Sequence, residues 1–370
     1  MISEPTLAAA LAQGVLSPDQ AARLRQMEDA RKAAAALEPP DEEKLRFITG
    51  FGDIFVSIGL ILVFAACMNF HWRTLIPIDA PAFPPIPVYV LADVARWALI
   101  GLLSWGLAEY FTRRRRMALP SILLVLAFCW AVFRATGIAL LISGLVPISR
   151  FPLDLQGPSV PAVIASACAA AVAAWLHYRR FGVPIAPALG AASLLLAGVA
   201  AVNVLAPGAA PLVIHGVLLV AGIAIFALAM RFDARDPQRV TRNTDIAFWL
   251  HLLAAPLIVH TLIGGLWHGD RAETGSAFAV LSLFLALGVV ALLVNRRAIL
   301  VSGLVYAGLA FGTLLYTSGA RSISVDLTLL VLGAFILILS AGWQRLRRLA
   351  LGVLPGRLVR FLPPLTVSAT

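Results

Sequence analysis

Charged residues are scarce in this 370-residue chain: they make up 13% of it, whereas apolar residues make up 60%. A soluble globular domain carries about 25% charged residues, so the composition excludes an ordinary soluble domain. Apolar stretches of about 20 residues recur along the chain, which is the length a helix needs to cross a bilayer. The sequence therefore predicts an all-α fold, a polytopic membrane helix bundle.

Cysteine is also scarce, and the familiar catalytic motifs are missing. Cys67, Cys129 and Cys168 fall in three different apolar stretches, without the spacing of a zinc site or a disulfide framework. The chain contains no phosphate-binding Gly-Lys-Ser/Thr loop, no His-Glu-x-x-His and no Gly-x-Ser-x-Gly. An enzyme acting on a lipid would lack a visible nucleophile or metal set. We therefore predict a protein that is not an enzyme, with no cofactor and no metal.

Basic residues are present in excess, with a net charge of +10, and their positions predict the topology. Of 29 Lys and Arg residues, four (Arg73, Arg150, Arg271 and Arg321) lie in one set of connections and two (Arg96 and Arg134) lie inside apolar stretches. The other 23 lie in the alternate connections and the two tails. Cytoplasmic loops of membrane proteins are enriched in Lys and Arg. We expect a multi-pass protein of the bacterial inner membrane with both termini cytoplasmic.

Nucleic acid is the other partner that a basic chain could have. Here the positive charge belongs to short loops between apolar stretches, so we predict the lipid bilayer as a partner and no nucleic acid.

The ten predicted spans cover residues 47–69, 88–111, 118–145, 159–178, 184–205, 211–231, 246–265, 276–294, 298–317 and 325–342.

These spans divide the chain into three regions. Residues 1–46 form a cytoplasmic helical hairpin and linker, 47–342 the transmembrane bundle of about ten helices, and 343–370 a basic amphipathic cytoplasmic tail. The tail either lies in the inner membrane interface or anchors the last span.

The hairpin prediction depends on residues that typically begin or end a helix. Gly14 ends a first short helix that carries Leu7 and Leu11, and Ser17-Pro18-Asp19-Gln20 is a capping box with Pro at the first helical position. The second helix is expected to end at Leu37, before two prolines. The hairpin is either a docking module for a cytoplasmic protein partner or a leader that packs against the inner loops.

Ionisable residues inside the spans are the candidate ligand-binding residues, since charge in hydrocarbon is costly and faces a partner or a cavity. Asp93 and Arg96 are three residues apart and share a helix face, and Arg134 is expected at a similar depth in the next span. His215 and His260 are placed near the same, outer side. The candidate set is Asp93, Arg96, Arg134, His215 and His260. It is either a structural ion pair with end residues at the headgroups or the lining of an aqueous cavity for an anion.

Two further patterns concern helix faces. His251 and His260 are nine residues apart on one span and point to opposite faces, which makes them a poor metal pair. Gly308-x-x-x-Gly312 predicts close helix packing.

The N-terminal region resembles a bacterial membrane-protein family, domain of unknown function 2157. The resemblance is carried by the Leu7–Leu24 pattern, which includes Gly14, Ser17-Pro18 and Gln20, and by the first span from Phe51-Gly52-Asp53 to Asn69-Phe70-His71-Trp72. It covers about 75 residues. It implies an inner-membrane protein of no established activity and names no catalytic residues.

Two functions from different classes remain open. The first is transport or binding of a small anionic solute or lipid headgroup through a polar cavity in the outer half of the membrane, on a bundle that two inverted five-span halves could form. The second is a membrane assembly or sensory protein that recruits a cytoplasmic partner through its N-terminal hairpin.

Overall fold

The computed structural model describes residues 10–37, 50–69, 86–142, 160–206, 211–236, 241–264, 274–319 and 323–352, together with 354 and 362. The chain divides into two compact units, residues 1–45 with 364–370 and residues 46–363. Some sequence predictions lie outside the described residues: the one on Leu7, those on Arg73, Arg150, Arg271 and Arg321, and nearly all of the tail beyond residue 352.

In the first unit, the predicted turn at Gly14 and the predicted capping box are confirmed. Residues 10–12 are helical, and Gly14 adopts a φ of +69°, which glycine tolerates without strain. Helix α1 spans Pro18–Leu37. The backbone N–H of Ser17 donates to Gln20 Oε1 at 2.9 Å, and the N–H of Gln20 donates to Ser17 Oγ at 3.2 Å. The capping box therefore forms.

In the second unit, a described helix lies at the position of each predicted span. The helices are α2 (Phe51–Asn69), α3 (Ile86–Ala108), α4 (Ala118–Ile142), α5 (Val160–Phe181), α6 (Ala186–Leu205), α7 (Pro211–Ala234), α8 (Arg242–Gly264), α9 (Thr274–Val294), α10 (Ala298–Thr317) and α11 (Ser324–Gly352). Within the described residues, eight helices are long and apolar enough to cross a membrane: α2, α4 to α9 and α11. The prediction of a helical membrane bundle is confirmed.

Small residues bring the helices close together. Helix α5 packs most extensively on α6 and α4, and its buried face is largely alanine (Ala162, Ala167, Ala170, Ala173 and Ala174). Small side chains let helix backbones approach where lipid supplies no hydrophobic drive for association. Helix α10 packs on α11 in the same way: a Cβ at Gly308 would lie 3.6 Å from Leu332, and one at Gly312 would lie 3.5 Å from Thr328. The packing predicted for these two glycines is confirmed.

The last helix differs from its prediction. Helix α11 continues to Gly352, through residues assigned to the tail, whereas the predicted span ends at 342. Trp343, Arg347 and Leu351 are buried at i, i+4, i+8 spacing, so one face of this extension packs against the bundle. The prediction ended the span at 342 because the segment that follows is rich in arginine.

The turn between α3 and α4 is a π-helix, Glu109–Arg114, which the sequence did not predict. Glu109 accepts from Arg180 Nε at 2.7 Å and from Arg113 Nη1 at 3.2 Å. Glu109 thus pairs with Arg180 of α5 and with Arg113, the first residue of the four-arginine turn at 113–116. The hydrogen bond from Arg180, followed by that from Arg113, holds the pKa of Glu109 below its ordinary value.

Candidate functional site

Three of the candidate residues come together at one place. The Asp93 carboxylate on α3 lies 2.7 Å from Arg96 Nη2 on the same helix and 3.8 Å from Arg134 Nη2 on α4. The helical spacing of Asp93 and Arg96 and the depth predicted for Arg134 produce this geometry. We call Asp93, Arg96 and Arg134 the outer cluster. Their side chains are 17–26% exposed, so the cluster is partly accessible.

The surroundings of the outer cluster contain donors that lack acceptors. The Arg134 guanidinium lies 5.4 Å from the centre of the Trp97 ring, a cation–π contact. Arg96 Nη1 donates to the Met68 carbonyl at the end of α2 at 3.4 Å. Among the described residues, the buried Arg96 Nε–H and Trp97 Nε1–H have no hydrogen-bond acceptor. Most buried donors are satisfied, so two in one place call for an explanation.

The two candidate histidines lie on other helices. His260, on α8, hydrogen-bonds through Nδ1 to the Tyr306 hydroxyl on α10. His215 lies near the start of α7 and is half-buried. Neither α7 nor α8 is a main packing partner of α3 or α4. The described contacts thus unite the outer cluster and assign His260 to a different helix pair.

A second polar cluster is one that sequence reasoning missed. Asp233 at the end of α7 accepts from His251 on α8 and from Arg296 in the α9–α10 turn. His251 Nε2 lies 3.0 Å from Asp233 Oδ2, Arg296 Nε lies 3.2 Å from the same oxygen, and Arg296 Nη2 bonds the other oxygen. All three residues are at most 6% exposed. We call them the buried triad.

Further hydrogen bonds lie next to the buried triad, and Arg296 Nη2 itself donates to the Thr244 carbonyl at the start of α8 at 3.4 Å. Asp236 Oδ2 accepts from the backbone N–H and hydroxyl of Thr241 and from the Thr244 hydroxyl. Asn295, at a φ of +57°, accepts from Trp343 Nε1 at 2.7 Å. The end of α7 is thereby tied to the start of α8, and the end of α9 is tied to α11. The Asp233 carboxylate thus connects an imidazole and a guanidinium from different elements, and its removal would leave the buried Arg296 without its opposite charge.

The sequence offered little signal for the buried triad. Arg296 stands 63 residues from its partner Asp233, and nothing in either local pattern points to the other. By its place in the sequence Arg296 belongs to the loop charges that predict the orientation, whereas in the structure it is buried. The one available hint was His251, an ionisable residue inside an apolar span, which calls for a partner.

Metal-ligating and thiol groups are dispersed in the part of the chain that the structure describes. No group of three His, Cys, Asp or Glu residues there could hold a metal ion. Cys67, Cys129 and Cys168 are free thiols. The absence of an enzymatic activity stays a prediction. In the comparisons with known proteins, no family model, no curated protein and no solved structure matches this chain.

Proposed function

We propose that this protein crosses the bacterial inner membrane ten times, with both termini in the cytoplasm. A helix at each predicted span, eight of them of membrane-crossing length and apolarity, supports the number. The distribution of the 29 basic residues supports the orientation. The N-terminal capping box supports a further proposal, membership of the domain of unknown function 2157 family.

We infer that the outer cluster binds a small anionic solute or a lipid headgroup. The observation that carries this proposal is the pair of buried donors, Arg96 Nε and Trp97 Nε1, which lack acceptors among the described residues beside two guanidiniums and one carboxylate. A buried donor without an acceptor is destabilising. An anion would supply the acceptors and balance the formal charge. Arg suits this role because its planar fork matches carboxylate and phosphate geometry.

The proposal is that the outer cluster binds the anion, and transport of that anion is a more specific version of the same proposal. An inverted repeat would pair the helices of the two halves alike, but α2 packs mainly on α4 whereas α7 packs mainly on α8. The helix packing thus gives no support to two inverted five-span halves. His215 and His260 remain predicted lining residues of a larger cavity.

The test is anion-dependent stability of the purified full-length protein. Sodium phosphate or sodium acetate, at constant ionic strength, is expected to raise the unfolding midpoint of the wild type, because a ligand of the folded state stabilises it by mass action. Arg134→Leu and Arg96→Gln should abolish the rise while leaving insertion intact. Arg134→Lys should keep part of it, since Lys retains the charge but not the fork.

The matched control is Arg345→Leu, which removes an exposed arginine on α11. It should respond to both anions as the wild type does. An undiminished rise in Arg134→Leu would show that the anion binds elsewhere. If neither the wild type nor any variant responds to the anions, although all of them are stable, the outer cluster is a structural ion pair.

A second candidate function, assembly with a cytoplasmic protein, is favoured by the N-terminal unit. Residues 1–45 belong to a separate compact unit, and α1 carries its own capping box. Deleting residues 1–37 should leave carbonate-resistant membrane insertion intact, because all ten predicted spans remain. It should also remove any higher-mass species in native electrophoresis. A truncated chain that fails to insert would make the hairpin part of the membrane fold instead.

A further inference from the structure

A cavity of about 540 Å³ lies between the α3–α4 connection, the α5–α6 turn and the start of α8. Its wall is formed by the π-helical turn before α4, the first residues of α4, the α5–α6 turn and the first turns of α8. Arg113, Arg116 and Arg242 supply guanidiniums, and Ser121 and Asp245 are further polar lining residues. We call it the arginine cavity. It is distinct from the outer cluster, none of whose residues lines it.

Two backbone features shape the arginine cavity. Arg116 adopts a φ of +55°, in the left-handed region that non-glycine residues rarely occupy. Gly182 has a φ of +67°, and a Cβ at this position would overlap the Arg242 guanidinium. The absence of a side chain at Gly182 therefore lets Arg242 lie against the α5–α6 turn, at the edge of the cavity.

The arginine cavity is lined by more guanidinium groups than carboxylates. Arg113 pairs with Glu109 at 3.2 Å. Among the described residues, Arg116 and Arg242 form no ion pair, and Asp245 is the one carboxylate in the lining. Both arginines are exposed, so a ligand can reach them. Guanidiniums gathered around a pocket favour a phosphate or carboxylate that accepts from several donors.

Most of the rest of the wall is apolar, which favours a lipid over a free ion. Met117, Ile122, Phe181, Val183 and Trp249 line the cavity beside the arginines. Basic pockets between membrane helices on the cytoplasmic side bind anionic headgroups, and aromatic side chains are enriched at headgroup depth. A free phosphate would leave the apolar wall without a partner.

We propose that the arginine cavity binds the phosphate of an anionic phospholipid, with Arg116 and Arg242 on the headgroup and the apolar wall against the start of the acyl chains. The leaflet is the cytoplasmic one under the topology proposed above. The occupant is identified by its chemistry, a phosphodiester joined to hydrocarbon, which matches both halves of the wall.

The test compares lipid retention by the purified full-length protein in nonionic detergent. Native mass spectrometry should detect phosphatidylglycerol on the wild type in preference to phosphatidylcholine. The double variant Arg116→Gln/Arg242→Gln should lose this preference by about tenfold or more, since each basic residue near an anionic headgroup contributes to binding. The matched control, Arg345→Gln/Arg348→Gln, removes two exposed arginines of α11 and should retain the preference.

Two further measurements test the proposal. Inorganic phosphate at millimolar concentration should not displace phosphatidylglycerol, and displacement would identify a free-anion site instead. Arg242→Lys, which keeps the charge, should give an intermediate preference even if the double variant does not fold. The proposal would be overturned if Arg242→Lys kept the full preference for phosphatidylglycerol and, in addition, the two double variants did not differ from each other. They would not differ if both kept the preference or if both lost it equally. The outcome is independent of the anion response at Arg134.

Discussion

Individual charged residues in this protein differ in what surrounds them. In the outer cluster, Asp93 and its two arginines remain partly exposed, whereas Asp233, His251 and Arg296 of the buried triad are almost completely enclosed. Burial of a carboxylate is unfavourable unless its partners are well placed. The outer cluster is therefore open to an added ligand, whereas in the buried triad the Asp233 carboxylate already accepts from His251 and Arg296.

The buried triad predicts a large effect of a single substitution. Asp233→Ala should lower the free energy of unfolding by about 3–5 kcal/mol, because it leaves Arg296 buried without its carboxylate. Denaturant unfolding of the purified protein measures the change. Asp326→Ala, which removes an exposed carboxylate at the start of α11, is the control and should change stability by less than about 0.5 kcal/mol.

A companion variant separates lost charge balance from lost packing. Asp233→Leu/Arg296→Met removes both opposite charges and should recover much of the loss, since an apolar replacement of a buried pair is often neutral. Equal stability of Asp233→Ala and Asp326→Ala would show that the buried triad does not stabilise the folded protein.

At the level of elements, one glycine lies where two helices approach closely. Helix α7 contacts α8 extensively, and a Cβ at Gly222 would lie 2.9 Å from Ile258 Cγ1 and 3.1 Å from Leu257 Cβ. Neither atom is the end of a flexible chain, so the helices would have to separate. Gly216 on the same helix has nothing within 4 Å of the position of a Cβ. The two glycines differ in their neighbours and share their helix.

This difference predicts opposite outcomes for one substitution at two positions. Gly222→Ala should be less stable than Gly216→Ala by about 1–3 kcal/mol, the usual effect of overpacking. The gain in helix propensity, about 1 kcal/mol, is the same at both positions and cancels in the comparison. Thermal unfolding in detergent measures it. Equal midpoints would mean that α7 and α8 do not approach this closely.

For the whole molecule, the proposed topology can be tested without knowing the function. In a variant whose three native cysteines are replaced, an impermeant maleimide added outside the cell should label Glu273→Cys. It should fail to label Arg115→Cys, which belongs to the four-arginine turn. The expectation follows from the positive-inside distribution of the loop charges. Labelling of Arg115→Cys with protection of Glu273→Cys would reverse the orientation and place the arginine cavity in the outer leaflet.

The sequence by itself determined the local features of this protein. Helix positions follow from apolar length, and the α1 cap and the Asp93–Arg96 pair follow from spacings of three residues within one segment. Even the approach of Arg134 could be predicted, because rise per residue sets the depth of a side chain in a helix that crosses the membrane.

Only the tertiary structure decided which helices are neighbours. The Asp233–Arg296 pair, the contact of His260 with Tyr306 and the burial of Arg347 all depend on that choice. Hydrophobicity does not distinguish one lipid-soluble helix from another, so helix association in a membrane depends on shape and on a few polar contacts. Those contacts join residues dozens of positions apart, and periodicity along one segment carries no information about them.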